Sequence, residues 1–283
     1  MQRRRLIPRS LIPRILPLVM AAGLSLAGCA ADRFASAEKI AAPAGLQFRT
    51  TQTTSYRLAA WKRMSDPSQP VHVYIEGDGL AWLDRNRPSP DPTPRHPLGL
   101  ALAARDPAPN VIAIARPCMY VDLSRQPSCR IETWTDGRFD QSAIAAIDQA
   151  LTQLKPANMR VHLVGYSGGA AIAAALAARR QDVVSLRTVA GNLDPAAITR
   201  FHRVSPMPTA IDIAAMAPAL AAMPQRHFMG TKDTVIPAFV IEQFAKNAGR
   251  CAAVSRVVAT HGEGWTEQWP ALLRMPLPCE QAQ

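Results

Sequence analysis

Six short runs rich in Val, Ile, Leu and Ala recur along the chain, each bounded by turn residues: Val71 to Glu76, Val111 to Ala115, Arg160 to Val164, Val184 to Ala190, Arg226 to Gly230 and Val254 to Ala259. Runs this short and this continuously apolar are what strands covered on both faces require. Between them lie longer stretches with helical spacing, Leu98 to Arg105, Phe139 to Leu154, Gly168 to Arg180, Ile211 to Met223 and Pro237 to Lys246. Strand and helix alternate, which predicts a mostly parallel sheet of about eight strands with helices on both faces. The Thr-rich stretch Gln47 to Met64 alternates in polarity and predicts an antiparallel hairpin that opens the domain. Two segments break the rhythm. Asn86 to Pro97 is too proline-rich for helix or strand and reads either as a stiff surface excursion or as a rim over a site. Residues 192–223 fall where a lid or cap would be inserted.

The start of the chain has a different pattern. Five arginines lie within residues 3–14, Ile15 to Gly28 carries no charge, and Leu26-Ala27-Gly28-Cys29 closes the run. The apolar part falls short of the about 20 residues a bilayer span needs, so residues 1–28 are expected to be a signal peptide. Removing them takes away five arginines and no acid, so the formal charge falls from +11 to +6. The remaining Lys and Arg are scattered, and no basic helix interleaved with aromatics suggests a nucleic-acid groove. Residues 29–45 are expected to be a tether and residues 46–283 a single domain, long enough for a sizeable core.

Cysteine use agrees with an oxidising compartment: apart from Cys29 the chain holds Cys118, Cys129, Cys251 and Cys279. Four cysteines allow three pairings and the sequence alone does not choose. Pairing Cys118 with Cys129 would tie a loop, and Cys251 with Cys279 would tie the C-terminal tail, which makes these the favoured pairs. No Cys or His cluster has metal-ligand spacing, and neither a metal nor another cofactor is expected.

The candidate chemistry centres on Ser167. In VHLVGYSGGA an apolar strand runs into Gly-Tyr-Ser-Gly-Gly and then into an alanine-rich helix, the local pattern of a nucleophile elbow. A neutral hydroxyl needs a base within hydrogen-bond reach. His261, just beyond the last expected strand, is the best candidate. His72, His162 and His227 lie within expected strands, and His96 and His202 lie in irregular segments. Asp233 is the favoured acid and Asp194, after the preceding strand, is its rival.

The order of elements together with VYIEGDGLAW, IARPCMY, VGYSGGAA, AGNLDPAA and QRHFMGTKDTVIP resembles the α/β-hydrolase fold, and within it a group of bacterial lipoproteins with unassigned substrate. The resemblance covers nearly all of residues 46–283. It implies acyl transfer through a Ser167, Asp233, His261 triad, with an oxyanion hole from the amides of Gly168 and of Asp78, Gly77 lying close by. Glu76 departs from the pattern by standing where a histidine is common. A carboxylate at Asp78 must turn away from the hole, pair with a cation such as Arg116 or Arg85, or select a cationic substrate. Trp82, Tyr166 and Trp265 are candidate substrate contacts. Leu-Ala-Gly-Cys resembles a lipobox, which implies acylation of Cys29, by palmitate or a similar chain. Ala30 after it resembles an outer-membrane sorting signal, so a periplasm-facing protein anchored in the bacterial envelope is implied, outer membrane before inner. A small-molecule or lipid acyl substrate is the expected partner; oligomeric state leaves no trace in the sequence. The alternative function is a non-catalytic envelope-binding lipoprotein on the same scaffold.

Overall fold

The computed structural model describes residues 22–280, with side chains from Asp32 onward. Residues 1–21 of the expected signal peptide and the side chain of Cys29 therefore lie outside the described residues, while residues 22–28 fall within the first helix. In chain order the elements are α1 (Ala22–Ala41), β1 (Gln47–Gln52), β2 (Arg57–Met64), β3 (Val71–Ile75), β4 (Trp82–Asp84), β5 (Arg87–Pro88), α2 (Leu98–Ala104), β6 (Asn110–Ile114), α3 (Ile131–Trp134) and α4 (Gln141–Leu154). They continue as β7 (Val161–Tyr166), α5 (Gly168–Ala177), β8 (Val183–Val189), α6 (Pro195–His202), β9 (Gln225–Gly230), α7 (Ala238–Ala248), β10 (Ala252–Val257) and α8 (Trp269–Leu273).

Eight strands form one sheet in the order β1-β2-β6-β3-β7-β8-β9-β10. The opening hairpin is antiparallel within itself and to β6, and every later pairing in this sheet is parallel. Side chains alternate across a strand, so the sheet divides the core in two. One layer holds Val73, Ile75 and Leu163 under α4, α5 and α7. The other holds Tyr74, Val164, Val189 and Phe228 under α1, α2 and α8.

All ten residues of α5 are buried, which an alanine-rich helix without charge permits. Its approach to the sheet depends on Gly169: a Cβ there would meet the carbonyl oxygens of Ile75 and, at 2.5 Å, Glu76. Because the obstacle is backbone, Gly169→Ala is expected to destabilise the fold by about 1–3 kcal/mol, read as a lower urea midpoint with an unchanged slope.

The expected tether is more ordered than a linker. Ala37 and Ala41 of α1 are fully buried, Trp61 Nε1 donates to Glu38 at 2.6 Å, and Phe34 packs edge-on against Phe48. The expected helix Ile211 to Met223 is instead a 3-10 turn over Ala214–Leu220 containing Pro218, whose missing N–H disfavours an α-helix there. Between Asn192 and Met223 the chain also forms α6, started by Pro195 and capped by Asp194, whose Oδ1 accepts from Ala197 N at 2.8 Å. The proline-rich stretch braces the turn after β3: Leu80 N donates to Pro92 O at 2.9 Å, and Thr93 is buried.

The two disulfides are Cys118–Cys129 and Cys251–Cys279, the favoured pairs. The second closes a separation of 28 residues and pins the tail after α8, whose carbonyl at Pro276 accepts from Arg226 Nε at 3.1 Å. Replacing both Cys251 and Cys279 by serine is expected to cost about 3 kcal/mol in unfolding free energy, measured by chemical denaturation against the oxidised wild type.

Candidate active site

The carboxyl ends of the parallel strands meet along one edge of the sheet, and the candidate residues sit on the turns that leave it. Glu76 to Asp78 follow β3, Ser167 follows β7, Asn192 and Asp194 follow β8, Asp233 follows β9, and His261 follows β10. Residues up to 185 positions apart in the chain, Glu76 and His261, therefore share one rim.

Ser167 has φ 50° and ψ −121°, a conformation a side chain seldom adopts. Its amide donates to Val189 O at 3.0 Å, and its carbonyl accepts from Asn192 N at 2.9 Å and Ala170 N at 3.0 Å, so neighbouring strand and helix hold the strained turn. Gly165 lets it close: a Cβ there would stand 2.5 Å from Ala170 Cα. Ser167 is 9% exposed at the head of α5.

His261 Nε2 lies 3.0 Å from Ser167 Oγ, and His261 Nδ1 lies 2.9 Å from Asp233 Oδ2. The Asp233 side chain is 1% exposed. Its Oδ1 accepts from Val235 N at 2.7 Å and Ile236 N at 3.0 Å. Burial pushes this carboxyl up, but the hydrogen bond and charge of His261 and the two amides outweigh it and hold the group below the ordinary carboxylate range. The structure thus brings together all three expected triad residues. Asp194, the rival acid, is occupied in capping α6.

His72, His162, His202 and His227 are engaged elsewhere. His72 Nδ1 meets Asp106 at 2.6 Å, and His162 Nδ1 meets Ser185 Oγ at 2.7 Å, both near the start of their strands and away from Ser167. Burial pushes His162 down to about 4 and His227 down to about 3. His202 Nε2 meets the carbonyl of Val235 at 2.8 Å.

The His261 loop is fixed through its backbone. Its carbonyl accepts from Trp265 Nε1 at 3.2 Å and from Tyr166 Oη at 3.3 Å, and the Tyr166 ring lies 5.5 Å from the imidazole. Trp265, expected to touch substrate, is fully buried, because its indole N–H is needed by the carbonyls of Thr260 and His261. It positions the histidine instead. Tyr166 is half-buried beside the imidazole, and Trp82 is 39% exposed on β4.

The expected oxyanion hole is partly redrawn. The Gly77 amide donates to Glu76 Oε1 at 3.0 Å, so it is not free to receive an oxyanion. Glu76 also accepts from the amides of Gly99 and Leu100 at the head of α2, which gives the residue in the histidine's place an anchoring role. Burial pushes its carboxyl up against those amides and Arg116. The amides of Gly168 and Asp78 have no protein partner among the described residues. The Asp78 carboxylate packs against Gly168 where a Cβ would stand, and it is paired with Arg116 Nη1 at 3.1 Å and Arg138 Nε at 2.9 Å. Arg85, the other cation considered for it, reaches the carbonyls of His202 and Arg203 instead.

Arg138 and the anchoring role of Glu76 are additions to the sequence reading. A charged residue shortly after a buried strand, as Arg116 is two positions past β6, was a usable signal; Arg138 offered none.

No family model matches the chain, and no curated protein sequence matches it. Solved structures do. An esterase of Pyrococcus furiosus is similar over 82% of this chain and 91% of its own, at 14% identity and a TM-score of 0.56. A bacterial membrane phospholipase A is similar over 90% and 94%, at 18% identity and a TM-score of 0.54. An alpha-beta serine hydrolase homologue from Coxiella burnetii is similar over 80% and 92%, at 14% identity and a TM-score of 0.51. At such identities the likeness speaks for the fold alone.

Proposed function

We propose that this chain of α/β-hydrolase fold is a serine hydrolase of carboxylic esters, held at the bacterial envelope through acylated Cys29 and facing the periplasm. The observation that carries the catalytic reading is the continuous hydrogen-bond chain from Ser167 Oγ through His261 to Asp233. In this reading His261 Nε2 takes the proton of Ser167 as the oxygen attacks the ester carbonyl. The Gly168 and Asp78 amides, at the positive end of α5 and on the turn after β3, receive the developing oxyanion. Asp233 holds the imidazole with its proton on Nδ1 and stabilises the imidazolium. The alcohol leaves with the proton from Nε2, and water then repeats the attack on the acyl-serine.

The arginine pair suits this scheme. Arg116 and Arg138 neutralise Asp78, whose charge would otherwise oppose the oxyanion, and they fix the turn that carries the amide. The anchor reading rests on the Leu26 to Cys29 sequence. The catalytic reading is tested with a panel of soluble nitrophenyl esters of graded acyl length. Saturable hydrolysis with a maximum at one chain length is expected, and no turnover of any ester by folded protein would favour the binding role.

A further inference from the structure

We propose that the rim of the candidate active site is a docking surface for an anionic lipid bilayer, so that the site faces the membrane rather than the solvent. Three turns beside the triad each carry exposed apolar side chains: Trp82 and Leu83 on β4, Phe201 and Val204 at the end of α6, and Val235 and Phe239 at the start of α7. Phe201 is 54% exposed and Phe239 48%.

These turns are fastened into one surface. Arg85 Nη2 donates to the carbonyls of His202 at 3.2 Å and Arg203 at 3.0 Å, which joins the β4–β5 turn to the end of α6. His202 Nε2 meets Val235 O, and the Phe201 and Phe239 rings lie 6.0 Å apart, which joins α6 to α7. Val235 in turn donates its amide to Asp233, so the patch adjoins the triad.

Two features choose the occupant. Arg85, Arg200, Arg203 and Lys232 are exposed around the patch, and none has a carboxylate partner among the described residues, while the nearby Asp84 is neutralised by Arg87. Separate apolar tips flanked by unpaired cations suit insertion among lipids beneath anionic headgroups.

The second feature is where the N-terminus leaves. Arg63 reaches the carbonyls of Asp106 and Ala108 just before β6, and that end of the sheet is opposite to Ser167, because β6 runs parallel to β3 and β7. Arg63 also meets Ala44 O, whereas Arg33 reaches the carbonyls of Asp91 and Thr93, beside the turn after β3. From Arg33 to Ala44 the chain therefore runs away from the site edge. Arg33 lies within α1, which starts at Ala22, so the helix continues backward from Arg33 in the same direction, towards the site edge.

Trp82 supplies the test. It is the exposed tryptophan of the chain's five; Trp61, Trp134, Trp265 and Trp269 are all buried. The full chain is mixed with vesicles of phosphatidylglycerol and brominated phosphatidylcholine, and tryptophan emission is recorded. Quenching is expected, lost in Trp82→Phe and weakened by salt or by omitting phosphatidylglycerol. The paired change Phe201→Ser and Phe239→Ser should lower apparent vesicle affinity about tenfold or more, with soluble-ester hydrolysis intact. All variants share the N-terminal segment, so a difference between them belongs to the patch. Unquenched wild-type emission, or equal quenching in the paired variant, overturns the proposal, including the case where a protein partner covers the patch. Ser167→Ala should dock like wild type. Docking without ester hydrolysis would thus defeat the catalytic reading alone, and hydrolysis without docking this one alone.

Discussion

Replacing Ser167 or His261 by alanine is expected to lower kcat for a soluble ester by about a million-fold in either case, and the double variant should be no worse than the single ones. Non-additivity follows from the geometry: the hydroxyl is reactive only while Nε2, at 3.0 Å, can take its proton, and the imidazole has no other oxygen to activate there. KM should stay near the wild-type value, since neither change removes an apolar contact that would hold the ester. Both variants should remain folded. The Ser167 turn is held by its backbone, and the His261 loop is held by its carbonyl against Tyr166 and Trp265. Steady-state kinetics beside a melting curve separate loss of chemistry from loss of structure.

Asp233→Asn is expected to lower kcat by about ten-thousand-fold with little change in KM. The amides of Val235 and Ile236 both donate to Oδ1, so an asparagine must keep its oxygen on that side and turn its NH₂ towards His261. Nδ1 then has to accept, the imidazole proton moves to Nε2, and the base can no longer take the proton of Ser167. Asp194→Asn makes the contrasting control: asparagine caps a helix about as well as aspartate, so activity should change less than threefold or so. An equal loss in both variants would return the acid to the segment after β8. The depressed acidity of Asp233 also sets a sign. Its contribution to stability is complete above the ordinary carboxylate range and is lost only as pH falls through the lowered folded value.

What the sequence disclosed was what local chemistry writes into contiguous residues. The elbow at Ser167 was legible because strand, glycines, serine and helix must follow one another without a gap. The parallel sheet was legible because buried strands are short and continuously apolar. His261 stood out by its place after the last strand. Asp233 was favoured over Asp194 although each sits after a strand and before a proline-led helix, and the tertiary fold shows that Asp233 faces the imidazole.

The environment of Asp78 was legible by half. Arg116 was named with Arg85 as a candidate partner, and it lies two residues past β6, but Arg138 lies 60 residues from Asp78 and owes its place to the loop between α3 and α4. Trp265 shows the same limit: its position next to His261 suggested substrate, and only the hydrogen bonds of its indole reveal that it holds the loop. The helix expected over Ile211 to Met223 failed on one residue, Pro218, whose ring allows a 3-10 turn but not a full α-helical ladder.

The most direct measurement is covalent. The protein is treated with a fluorophosphonate, digested, and mapped by mass spectrometry. The account predicts one adduct, on the peptide carrying Ser167, absent from Ser167→Ala and formed far more slowly in His261→Ala. An adduct on another serine, or none on protein shown to be folded, would contradict it.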